Sequence, residues 1–231
     1  MGEFGWAVAA FVALHVGVSA TGLRERLIGR IGAGGYRIVF SLLSLAFLAW
    51  MMLSFGALRS DPFDPLNERL WTPPEWARWA SYALLLIASV LAASAFATRN
   101  PASVGMESAL GRDDPARGVI RVTRHPFLWG VALWAGAHLL ANGERFAPML
   151  FGALGLMALY GTRSIDRKMR ARDPEAWARF ADVTSNVPFM AITQGRNRLA
   201  LGEWAPGIAA GVVLFLLLAM FHRTLFGVAA L

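Results

Sequence analysis

The sequence predicts an all-α, polytopic membrane bundle of about six transmembrane helices, and three observations predict it. Hydrophobic residues make up 56% of the 231-residue chain and charged residues only 16%, a balance that soluble domains seldom show. The charged residues gather between six apolar stretches, each approaching the ~20 residues a helix needs to cross ~30 Å of hydrocarbon. The basic residues fall overwhelmingly in alternate loops. Residues 1–231 therefore read as a single transmembrane domain.

The expected spans are 4–20, 36–58, 79–97, 126–142, 146–161 and 205–222. The first, fourth and fifth are short, which predicts tilt or local bilayer thinning around them. The loops 21–35, 98–124 and 162–204 hold 3, 5 and 8 Lys or Arg, and Arg37 adds one. The opposite side carries Arg59, Arg69, Arg78, Arg145 and Arg223. Seventeen against five is a strong positive-inside bias. It predicts a bacterial inner (plasma) membrane protein with both termini periplasmic. Val18-Ser19-Ala20 has the look of a signal-peptidase site, but no Lys or Arg precedes the apolar run and Arg24, Arg26 and Arg30 follow it. That is the pattern of an N-out anchor.

Two connecting segments read as ordered. Trp71-Thr72-Pro73-Pro74-Glu75-Trp76 has the Trp and Pro of an interfacial segment capping the third span. Asp173-Pro174-Glu175 is a helix start, with Asp as N-cap and Pro at the first position. Trp177, Phe180 and Ala181 then share one face, opposite Arg170, Arg172 and Arg179, which predicts a helix lying in the membrane surface.

Composition also excludes. With no cysteine, there are no disulfides, thiolate ligands, thiol nucleophiles or c-type haem attachment. The net charge of +7 comes from 21 Arg and the single Lys168. In a soluble chain this surplus would suggest nucleic acid. Between apolar spans it orients helices and meets membrane lipid instead, so no nucleic-acid partner is expected. No Asp or Glu lies well inside a span, which argues against a carboxylate-bridged di-iron site and against a proton-coupled pump.

What the spans do contain is histidine. His15 lies in the first, His138 in the fourth and His222 at the outer end of the sixth, while His125 sits at the inner mouth of the fourth. Small or apolar neighbours surround His15 and His138. Phe11 and Trp134 stand one turn before them, and Ser19 and Asn142 one turn after. Two neutral imidazoles from two helices, flanked by flat and small side chains, suit a b-type haem with two axial His. Interhelical hydrogen bonding would explain the same residues. The two histidines also differ in depth, by ~9 Å at 1.5 Å per residue. A second constellation, Arg124-His125-Pro126, pairs cations at the inner headgroup level and suits a carboxylate or propionate, or a snorkelling arginine at a helix start. Asp166, near Arg163, Arg167 and Arg170, reads as part of a satisfied surface ion-pair cluster.

At these residues the chain resembles a known family. Ala13-Leu14-His15 followed by Ser19 and Arg24, then Thr123-Arg124-His125-Pro126-Phe127-Leu128-Trp129-Gly130, then Ala137-His138-Leu139-Leu140-Ala141-Asn142-Gly143, look like the NnrU family, which is related to 15-cis-zeta-carotene isomerase. The likeness runs from the first span to about Phe189. It implies haem b with His15 and His138 as iron ligands; on the residue reading above, Arg124, His125 and Trp134 are then expected beside the cofactor. It further implies a supporting role in nitrite and nitric oxide reduction during denitrification, or haem-dependent isomerase-like chemistry on a hydrophobic small molecule. The likeness covers the scaffold and the histidines, not a carotenoid pocket.

A rival class shares part of the pattern. Arg-His-Pro-x-x-x-Gly opening a span, a later acidic residue and Val187-Pro188-Phe189 also resemble isoprenylcysteine carboxyl methyltransferases, which implies S-adenosylmethionine. The chain departs from that pattern, with Leu128 where those enzymes carry Tyr and no Glu-Glu pair. A non-catalytic assembly or haem-handling factor is the third reading.

Overall fold

The computed structural model describes residues 2–103, 106, 110 and 114–228, with only the backbone of Ser19 and Ala20. Among them there is no strand, and a single isolated bridge joins Arg69 to Glu144. The helices are α1 (Glu3–Ala20), α2 (Leu23–Ser60), α3 (Glu75–Ala97), α4 (Pro126–Ala141), α5 (Ala153–Arg172), α6 (Pro174–Val183), α7 (Met190–Thr193) and α8 (Leu201–Phe226). The all-α expectation holds.

Three of these, α2, α3 and α8, are long and apolar enough to cross a membrane. Their exposed faces carry Leu42, Leu45, Leu53, Ile87, Val213, Leu216 and Met220, the side chains that lipid rather than water accommodates. The chain is thus an all-helical, membrane-associated protein. α1 and α4 are apolar but shorter. At 16 residues, α4 spans only ~24 Å at 1.5 Å per residue.

Two predicted spans differ in form. The second lies within a longer helix broken at Gly32, whose backbone adopts φ 73°, ψ 163°. A residue with a Cβ resists that conformation, so glycine here separates the arginine-bearing start of α2 from its apolar body. The fifth is not one α-helix. Its first part is a π-helical turn, Pro148–Gly152, and α5 follows with a composition that becomes polar after Gly161. Pro148 at the head of that segment brings no N–H to the helical ladder.

The helices pack in the spatial order α8, α3, α4, α5, α1, α2. Small residues permit the closest approach. A Cβ on Gly211 of α8 would collide with the Val90 backbone of α3, and one on Gly207 with Ser94. This is the small-xxx-small seam by which apolar helices bring backbones together inside lipid.

Two cores result, one toward each end of the bundle. At the end carrying the 61–74 and 142–145 loops, Phe4, Ala7 and Val8 of α1 meet Met51 and Leu58 of α2, Ala135 of α4, and Phe146, Leu150 and Phe151. The loops clamp there, with Leu70 N donating to Gly143 O at 2.8 Å and Arg145 paired to Glu68. At the arginine-rich end, Leu91, Val119, Ile120 and Met169 enclose Trp177 and Phe180 of α6.

That second core corrects an expectation. Asp173 does cap α6, accepting from Ala176 N at 3.0 Å, with Pro174 first in the helix. But Trp177 is 2% exposed and Phe180 0%, because they pack into the protein core. The apolar face of α6 therefore serves tertiary packing, not the membrane surface.

Candidate functional site

His15 and His138 prove to be built alike. In each, Nδ1 lies against the carbonyl oxygen four residues back: Phe11 O at 2.8 Å and Trp134 O at 2.9 Å. A carbonyl only accepts, so Nδ1 carries the proton and donates. Nε2 of each ring has no hydrogen-bond partner among the described residues, as in a metal-ligating imidazole steadied through its other nitrogen.

Aromatic rings hold each imidazole. His15 lies against Phe11, with centroids 4.3 Å apart, and meets Phe40 edge-on at 5.3 Å. His138 lies 4.8 Å from Trp134 and stacks on Phe151 at 4.6 Å. Asn142 does not reach the His138 ring; its amide donates to the His138 carbonyl at 2.8 Å and closes α4. The Ser19 side chain lies outside the described residues. His222, half-buried, donates from Nδ1 to Val228 O at 2.8 Å and lies 4.9 Å from the Phe226 ring.

Donor chemistry at both positions fits haem, whose porphyrin needs the protein for axial nitrogens only. Among the described residues no group of three or more His, Asp or Glu gathers as a metal site, so the imidazoles would serve alone. The axial offset persists. Phe151, under the His138 ring, shares a core with Phe4, Ala7 and Val8 of α1. His15 lies seven residues past Val8, ~10 Å along the helix axis. Among the described residues no ring contact or hydrogen bond joins the two histidines.

Arg124 and His125 are brought together, but around a residue of α5. Arg124 donates from Nε to Asp166 Oδ1 at 3.0 Å and from Nη2 to Oδ2 at 2.8 Å. His125, 3% exposed, donates from Nε2 to Oδ1 at 2.6 Å, and Asn186 donates to Oδ2 at 3.2 Å. Arg124 further donates from Nη1 to Thr184 O and lies over the Trp177 ring at 5.2 Å. Burial pushes the Asp166 pKa up, but the hydrogen bonds and charges of His125 and Arg124 outweigh it and hold the carboxyl well below its usual range.

Asp166 is therefore not part of a surface cluster with its helical neighbours Arg163, Arg167 and Arg170. It turns inward, because α4 begins where α5 passes and presents two donors to it. The sequence reading missed Asn186 and Thr184; the only signal was a polar Thr184-Ser185-Asn186 run before Val187-Pro188. Beyond that run, Phe189 takes a left-handed φ of 64° and its N–H donates to Val122 O at 2.8 Å. A bulky residue so placed stores on the order of 1–3 kcal/mol of strain. The Arg124 cluster and this tie together fix the 184–189 loop to the mouth of α4.

Trp134 stays close to the proposed ligand, beside His138 and edge-on to Phe151 at 5.2 Å. Arg124 and His125 are instead engaged with Asp166, at the far end of α4 from His138.

The chain is 28% identical over 196 residues to a protein of Zea mays named 15-cis-zeta-carotene isomerase, chloroplastic, covering 82% of this chain and 50% of that one. It is 27% identical over 208 residues to the protein of the same name from Arabidopsis thaliana, covering 83% of this chain and 50% of the relative. It thus spans about half the length of these curated relatives. No solved structure matches it significantly. The family described as NnrU protein matches residues 3–230, a stretch that takes in every helix and all four histidines, and the chain belongs to the NnrU family.

Proposed function

We propose that this chain is a haem b-binding protein of the bacterial inner membrane, with six spans and both termini periplasmic. His15 and His138 would hold the haem iron. The observation that carries this reading is the shared arrangement of those two residues: each Nδ1 is tied to a carbonyl of its own helix, and each Nε2 is left bare among aromatic rings. The third histidine of the expected spans, His222, is half-buried near the end of α8, with its Nδ1 tied to Val228 O and its ring against Phe226.

Bound haem supplies an iron that changes electron count without proton-donating side chains. The protein's part is to hold the imidazoles in one tautomer, to exclude water with Phe11, Phe40, Trp134 and Phe151, and to keep carboxylates out of the spans. Such a site suits isomerase-like or redox chemistry on an apolar molecule, the direction in which the names of the plant relatives point. It suits equally a supporting role in nitrite and nitric oxide reduction, with the reductase system as partner.

The test is an absorption spectrum of the protein purified after expression with ample haem supply. Two imidazoles on one iron give narrow low-spin α and β bands on reduction, and His15→Ala and His138→Ala each abolish them. A wild-type protein that purifies colourless and stays so on haem titration refutes the assignment. Retention of the low-spin bands in His15→Ala would show that the offset seen between α1 and α4 keeps His15 off the iron.

A further inference from the structure

We propose that a second site, a cleft at the arginine-rich end bounded by α6, the 114–121 segment and the 195–198 turn, binds a phosphate group. The cleft encloses about 540 Å³, within the range of small-molecule sites. Among the described residues its charged lining is Arg121, Arg179, Arg196 and Arg198 against Asp114. Counting Glu203, which holds Arg121 from outside the lining, positive charge exceeds negative by two among the described residues.

The four arginines are not equivalent. Arg121 is fully committed. It donates to both oxygens of Glu203 at 3.0 and 3.1 Å, to Asp114 Oδ2 at 2.8 Å and to Asn197 Oδ1 at 2.9 Å. It serves as a wall. Arg196 donates from Nη1 to the carbonyls of Ala181, Asp182 and Thr184, where α6 ends, and from Nε to Gln194. Its Nη2 has no hydrogen bond among the described residues. The exposed side chains of Arg179 and Arg198 have neither hydrogen bond nor ion pair among the described residues.

Open guanidinium donors thus border a cavity whose own carboxylate is already spoken for. Guanidinium forks match the oxygens of a phosphate, where paired donors add geometry to charge. Leu110, Pro115 and Val183 supply an apolar wall beside them, so a phosphoester fits better than a bare ion. The cleft is also joined to α8, since Glu203 in its first turn accepts from Arg121 and from Gly118 N. α8 is long enough to cross a membrane, and a spanning α8 would put its first turn at headgroup depth. Basic pockets beside spans are where anionic headgroups settle, so the source we favour is an anionic phospholipid. A soluble phosphoester has the same chemistry.

The experiment uses the full chain in detergent, in two arms. One measures retention of phosphatidic acid over phosphatidylcholine, offered in equal amounts, by native mass spectrometry. The other titrates glycerol 3-phosphate by calorimetry. Wild type should retain phosphatidic acid selectively, R179A/R198A should lose at least tenfold of that retention, and R179K/R198K should recover part of it. Saturable glycerol 3-phosphate binding that R179A/R198A abolishes, without lipid selectivity, supports the site and identifies a soluble ligand. Both replaced side chains are exposed, so the variants should fold, which circular dichroism checks. Equal behaviour of folded wild type and R179A/R198A in both arms overturns the proposal.

Discussion

His125 of the α4 mouth donates its Nε2 proton to Asp166 of α5 at 2.6 Å, across 41 residues of sequence. The same carboxylate takes two donors from Arg124, so one acidic side chain anchors the start of α4 to a neighbouring helix. Removing it leaves a largely buried guanidinium unpaired.

Asp166→Asn should therefore destabilise the protein by ~3 kcal/mol, the scale of breaking a buried pair by deleting one partner. Its folded pKa lies well below the unfolded value of about 3.9, so its stabilisation is fully present above the unfolded value, shrinks below it, and is lost only as pH falls through the folded value. The melting-temperature gap between wild type and Asp166→Asn in detergent should hold from pH 7 to 5 and begin to narrow only below about pH 4. A gap independent of pH would show that the charge of Asp166 contributes nothing.

The remaining histidines separate structure from ligation. His125→Ala should lower the melting temperature and leave any low-spin haem bands in place, because its Nε2 is engaged by Asp166. His222→Ala should leave the bands in place, since its Nδ1 is tied to Val228 O and its half-buried ring packs on Phe226. A spectral change in His125→Ala comparable to that in His138→Ala would make His125 a ligand and require the Asp166 contact to open.

Gly211 tests the α3–α8 seam. Gly211→Ala places a methyl against the Val90 backbone, and overpacking of this kind costs about 1–3 kcal/mol. An unchanged melting temperature would mean that α8 packs loosely and that the approach to Val90 is not a stabilising contact. Val213→Ala, on an exposed face of the same helix, serves as the control.

The absence of native cysteine makes topology directly testable. Glu175→Cys on α6 should be shielded from an impermeant thiol reagent in intact cells, and Glu68→Cys should be labelled. Both residues are exposed, and the ion pair lost at Glu68 is worth little at a surface. The reverse labelling pattern would invert the proposed orientation.

What the sequence by itself determined is everything written in local composition and period. Apolar length and the clustering of charge established an all-helical membrane protein, because a helix in lipid must satisfy its backbone internally over a known thickness. Asp173 and Pro174 marked the start of α6, because capping is a contact between near neighbours. His15 and His138 stood out because neutral imidazoles are rare inside apolar runs. The motifs around them carried the family.

Only the tertiary structure decided the partners. The sequence read Asp166 with the arginines of its own helix, yet it bonds to Arg124 and His125 of another. Trp177 and Phe180 read as a face for the membrane surface, since an amphipathic stripe does not say whether lipid or protein will cover it; the 116–120 segment and α5 cover it. The expected fifth span is a π-helical turn at Pro148–Gly152 running into α5. Nor could spacing reveal that His15 and His138 each tie Nδ1 to the carbonyl behind them. A hydrogen bond, unlike a hydropathy pattern, depends on rotamer and packing, and those are set only when distant segments meet.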